Sequence, residues 1–202
     1  MENKLIPWAC TLLDPRPIEG VSTHGVVRST LFDSVNPRTH FLVASMTDPS
    51  VVDLLKEKKA SLIGWHAFSE AVKGGIEGTG EDALMITGGT NAGLRTIGIG
   101  HTLGFREFHL YGFDMSLGEE PSEEVQKSVD EDGRPKFLNV SVGDQSYWTT
   151  GELLAGGQDL EKLFKTANEM DLILQFKGTG MGAKLWEIEK PHEMKGYSSW
   201  VM

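Results

Sequence analysis

A chain of 202 residues with 39% hydrophobic and 24% charged side chains can bury one sizeable core, which excludes wholesale disorder and predicts a single domain over 1–202. A formal net charge of −10 argues against a nucleic-acid binder, which needs a basic stripe, and the lone Cys10 excludes an internal disulfide framework or multi-cysteine zinc site. No apolar run approaches the length of a membrane span and no signal pattern opens the chain, so the expectation is a cytoplasmic protein without a membrane partner.

Short apolar runs recur along the chain: 8–13 (WACTLL), 39–45 (THFLVAS), 61–65 (SLIGW), 83–87 (ALMIT) and 107–113 (EFHLYGF). Each is closed by a polar or turn cluster, and near-continuous apolarity predicts strands buried on both faces. Between them, 48–59 reads as a helix with Asp48 as N-cap, Pro49 at its first position and lysines at its end. A second helix, over 90–104, starts at Thr90 or Asn91 and stops at Gly104. Strands alternating with helices predict crossover units and a mainly parallel sheet.

Beyond Ser116 the pattern changes. Residues 117–135 form an acidic surface excursion, and 136–150 read as a hairpin around Gly143-Asp144, an order that favours a type II′ turn. A helix follows over 151–170, with a break allowed at Gly156-Gly157, then a buried strand over 171–176. The stretch 178–189 (GTGMGAKLWEIE) reads as a glycine loop leading into an extended tail. The hairpin and the aromatic tail 196–202 could form a homodimer contact. Asn139 opens a glycosylation sequon that has no secretory signal to support it.

Six glycines lie between Gly88 and Gly104, yet neither the dinucleotide fingerprint nor the P-loop string is present. Gly88, Gly89, Thr90 and Asn91 nonetheless stand where a strand hands over to a helix. Free backbone N–H groups and the helix dipole favour an anion at such a junction, although a capped tight turn would read the same way. Gly93, Ile97, Gly100 and Gly104 recur at helical spacing and predict a small packing face, each internal glycine costing about 1 kcal/mol against alanine.

Asp14, Asp48 and Asp114 each follow a strand, where ligands of open parallel sheets bind. Asp48 is the expected helix cap. Asp14 and Asp114 could hold Mg²⁺ or serve only as turn formers. Arg16, between two prolines, could clamp a phosphate, and His66 follows a strand in the same manner. Trp148 and Phe164 read as core or interface residues. The histidines lack zinc spacing, and no serine nucleophile elbow occurs.

The segment GGTNAGLRTIGIGHTLGFREFHLYGFDMS, together with IPWACTLLDPRP, FLVASMTDPSVVDLL, YWTTGELLAGGQDLEKLF and DLILQFKGTGM, resembles the 6-hydroxymethylpterin diphosphokinase-like family. That family also holds flagellar motility accessory factors, and its motif resembles a segment of certain bacterial sialyltransferases. The resemblance implies a Rossmann-like three-layer α/β sandwich and transfer of a diphosphate or glycosyl group from ATP or another nucleotide donor, with Mg²⁺. It places Gly88, Gly89, Thr90 and Asn91 at the donor and Asp14 and Asp114 near the transferred group. Relatives usually open with a strand and a glycine-proline-serine loop, so the expectation is that this first β-unit is missing here. The alternative is therefore a non-catalytic binding or assembly module; an NAD-linked dehydrogenase is disfavoured by the absent fingerprint.

Overall fold

Apolar runs become strands close to where their composition places them. The computed structural model describes residues 6–19, 32–33, 35–68 and 85–189, in two compact units, Met1–Thr87 and Gly88–Met202. The architecture is mixed α/β.

In the first unit β1 (Ala9–Leu12), β2 (His40–Ala44), β3 (Ser61–Ala67) and β4 (Met85–Ile86) form a sheet in that order, every neighbouring pair parallel. Successive residues Phe41 to Ala44 are all buried, so both faces of β2 are covered, which is why its run is apolar without alternation. Helix α1 (Pro49–Glu57) carries the chain from β2 to β3. Its entrance is fixed locally: Asp48 Oδ1 accepts from the Ser50 N–H (2.9 Å) and from Ser50 Oγ (2.6 Å). Val51 and Leu55 then pack with Phe32, Phe41 and Val43. The helix ends on Lys59 at φ +56°, with the Ala60 N–H donating to the Leu55 carbonyl at 3.0 Å. β3 runs two residues past the expected end, so His66 lies inside a strand and opposite Met85 rather than in a turn. Residues 83–84 and 196–202, which entered the strand and dimer expectations, lie outside the described residues.

The second unit contains α2 (Ala92–Thr102), β5 (Glu107–Tyr111), α3 (Glu123–Gln126), β6 (Phe137–Val142), β7 (Gln145–Thr150), α4 (Gly151–Thr166), β8 (Ile173–Lys177) and α5 (Gly180–Glu189). β5 and β8 pair in parallel, and β6 and β7 form the expected antiparallel hairpin. Gly143 has φ +62° and Asp144 is not left-handed, the combination of a type II′ turn. The core gathers Leu94, Ile97, Leu110, Leu160, Phe164, Leu174 and Met181.

Two expectations are corrected here. Helix α4 passes through Gly156-Gly157 without a break; both glycines are buried and let the side chains of Met115 and Met181 approach the helix closely. The stretch read as a glycine loop and extended tail is helix α5. Its glycines serve close approach: a Cβ on Gly182 would overlap the Phe113 carbonyl oxygen. The glycine face of α2 behaves as expected, since Cβ atoms on Gly93 and Gly100 would fall 2.7 Å from Phe113 and 2.6 Å from Phe108. Gly104, at φ +96°, instead closes the helix. Among the described residues, no helix is long and apolar enough to cross a membrane.

Candidate functional site

The turn after β5 organises the second unit. Met115 adopts φ +55° and is buried, a conformation costly for a side chain without compensation. Compensation comes from α4, where a Cβ on Gly156 would lie 3.0 Å from Met115 Sδ and one on Gly157 3.7 Å from Met115 Cβ. The buried hydroxyl of Thr149 donates to the Met115 carbonyl at 3.0 Å. With Met115 tucked inward, its two neighbours reach the start of α5. Asp114 Oδ1 accepts from the Thr179 N–H (3.1 Å), Ser116 Oγ from the Met181 N–H (3.1 Å), and the Asp114 carbonyl from the Gly182 N–H (2.8 Å). Donors that a helix start leaves without an internal partner are thus satisfied from a distant loop.

A cleft of about 550 Å³ opens beside this turn, past the carboxyl ends of β5 and β8. Asp114, Ser116, Thr179 and Gly180 form one wall, and Leu117 to Glu120 another. Asn139, Ser146, Tyr147 and Trp148 of the hairpin also line it. Side chains alternate along a strand, and Asn139 is the cross-strand partner of Trp148, so Asn139, Ser146 and Trp148 share one face. Tyr147 belongs to the opposite face, where it packs on the core with Val140 and Val142. The Leu117 N–H donates to the Trp148 carbonyl at 2.7 Å and ties the acidic loop to the hairpin.

At the glycine junction, Gly88 (φ +126°) and Gly89 (φ +99°) make the left-handed turn that the sequence suggested. Asn91 caps α2, its Oδ1 accepting from the Leu94 N–H at 2.9 Å. The anion at this helix start belongs to the protein itself: Asp159 Oδ2 accepts from the Thr90 N–H at 3.0 Å. Asp159 also pairs with Lys162 at 3.1 Å. Burial pushes the Arg95 guanidinium down, and the Asp159 carboxylate partly restores it.

In the first unit Asp14 and Arg16 hold each other. Asp14 Oδ1 accepts from Arg16 Nε at 2.7 Å, and Oδ2 pairs with an Arg16 terminal nitrogen at 2.6 Å. This planar, two-pronged pairing occupies the fork that a phosphate would use. His66 Nδ1 is buried without a hydrogen-bond partner among the described residues. Also among the described residues, no cluster of three or more His, Cys, Asp or Glu side chains is arranged to hold a metal ion.

Of the residues nominated for catalysis, ligand or metal binding from the sequence, Asp114 alone lines the cleft. Reasoning from sequence did not single out Asp159, Glu119 or Glu120 and read Trp148 as core or interface. Asp159 carries no local signal, since its partner is 69 positions away. Trp148 could have been found from its alternation with Ser146 inside a predicted hairpin. No protein-family model matches the chain, and neither curated proteins nor solved structures yield a match.

Proposed function

We propose that the chain is a transferase-like α/β protein that takes a phosphorylated or nucleotide ligand and moves a diphosphate or glycosyl group. The observation that carries this reading is the cleft past the carboxyl ends of β5 and β8, with Asp114 on its wall. Open parallel α/β sheets bind their ligands at that edge. The family resemblance supports the same chemistry, and a Rossmann-like three-layer arrangement belongs to the proposal.

Asp114, Glu119 and Glu120 bring negative charge to the lining without being arranged to coordinate an ion directly, so a phosphate would enter carrying Mg²⁺ whose bound waters meet these carboxylates. The ion would neutralise charge on the transferred group; the protein's part is to orient the ligand and exclude water. Isothermal titration with ATP, CTP and CMP-sugars, with and without Mg²⁺, is the test. The reading requires magnesium-dependent binding of at least one of them, weakened by Glu119→Gln/Glu120→Gln. A folded full-length chain that binds none overturns it.

A second reading, a non-catalytic binding or assembly module, is favoured by a different observation. The Asp14 carboxylate, the Arg16 fork and the Thr90 N–H, all nominated for ligand contact, engage partners within the protein. Nucleotide binding without turnover of any donor would favour this second reading.

A further inference from the structure

We propose that the cleft of the second unit receives an amino sugar, with the ammonium group at its acidic wall and the sugar ring against Trp148. Its role as the acceptor in a transfer rests on the function proposed above; the ligand chemistry rests on the lining itself.

Among the described residues that line the cleft there are three carboxylates, Asp114, Glu119 and Glu120, and no lysine or arginine. A bare anion entering there meets like charge. At the start of α5, the part of the wall suited to an anion, three of the four N–H groups that a helix start leaves free are engaged by the protein itself. The Thr179, Met181 and Gly182 N–H groups donate to Asp114 Oδ1, Ser116 Oγ and the Asp114 carbonyl. Acceptors dominate what remains, with Asn139 and the serine hydroxyls able to act either way. Such a lining calls for a ligand rich in donors: hydroxyls and a charged amine.

Trp148 supplies the apolar half of the recognition. It is half-buried on the same hairpin face as Asn139 and Ser146, so an aromatic surface is flanked by an amide and a hydroxyl. Indole offers area to the carbon face of a sugar ring and attracts an ammonium through its quadrupole. A volume of about 550 Å³ lies within the range of small-molecule sites.

The test is a titration of the full chain, followed by tryptophan fluorescence and by the indole N–H resonances, with Trp148→Phe used to assign the Trp148 signal. The probes are glucosamine, methyl glucoside, and inorganic pyrophosphate in EDTA. Glucosamine is expected to shift the Trp148 signal saturably and to bind about tenfold more weakly to Glu119→Gln/Glu120→Gln, a loss of about 1.4 kcal/mol. Methyl glucoside should be far less sensitive to that change. Metal-free pyrophosphate competing at Trp148, or glucosamine leaving the Trp148 signal unmoved, overturns the assignment. Glucosamine binding with no nucleotide binding would overturn the transferase reading and keep this one; Mg-nucleotide binding with no glucosamine binding would do the reverse.

Discussion

Asp159 Oδ2 lies 3.0 Å from the Thr90 amide nitrogen, so a carboxylate carried by α4 holds the entrance to α2. The bond is charge-assisted, and the Asp159 side chain is only 19% exposed. Asp159→Ala should lower stability by about 1–3 kcal/mol, read from urea unfolding midpoints. Lys162→Ala removes only the exposed end of the pair and should change stability by less than about 0.5 kcal/mol. Equal effects of the two substitutions would contradict the assignment.

Gly182 should tolerate no side chain, because a Cβ there overlaps the backbone oxygen of Phe113 and neither group can move cheaply. Gly182→Ala is expected to cost about 3 kcal/mol or more, or to prevent folding. Gly118, with nothing within 4 Å of a Cβ, should accept alanine within about 0.5 kcal/mol. Thermal unfolding of the pair compares them directly.

Lys59 closes α1 in the left-handed region, where glycine has no steric penalty. Lys59→Gly should therefore stabilise the chain by about 0.5–1 kcal/mol, despite the greater freedom it adds to the unfolded state. A decrease in the denaturation midpoint would show that the lysine side chain contributes more than its backbone costs.

Lys184 Nζ and Asp144 Oδ1 are 2.7 Å apart. The hydrogen bond from Lys184 holds the Asp144 carboxyl below its ordinary value, and the same bond raises Lys184. The Asp144 contribution is thus present above the ordinary carboxylate pKa and is lost as the pH falls through the lower folded value. The Lys184 contribution is present below the ordinary lysine pKa and is lost as the pH rises through the higher folded one. Asp144 is exposed, so the effect is small. The difference in melting temperature between wild type and Asp144→Asn should be largest near neutral pH and vanish at both extremes.

Burial raises the pKa of the Cys10 thiol by disfavouring its thiolate. At pH 8 its reaction with a disulfide reagent should be slow in the native protein and at least about tenfold faster in urea, where an ordinary thiol is restored. Identical rates in the two conditions would place Cys10 in water.

Features with nearby causes were legible in the sequence. Asp48 and Pro49 announce α1, and Gly143 announces the hairpin turn, because each depends on residues within a few positions. Features with distant causes were not. The glycines of α5 look like a loop until Phe113 is seen against Gly182, and those of α4 suggest a break until Met115 is seen beneath them. The site divides in the same way. Asp114 follows from its place after a strand, whereas the internal anion at Thr90 comes from a helix residue whose surroundings in the sequence do not mark it. The pairing of Asp14 with Arg16 runs against this division: the two lie two positions apart, so its cause is local, yet the sequence reading gave each of them to a ligand.

The pairing of β5 with β8 sets an order of events during synthesis. Glu107 meets Ile173, 66 positions further along the chain, a separation that makes loop closure costly and folding slow. The hairpin, whose strands are joined by two residues, can close as soon as Thr150 has emerged. Until Lys177 follows, β5 lacks its partner strand, and until Glu189 follows, α5 cannot cover the turn at Asp114. A nascent chain halted before β8 should present Leu110 to chaperones, while the hairpin is already formed.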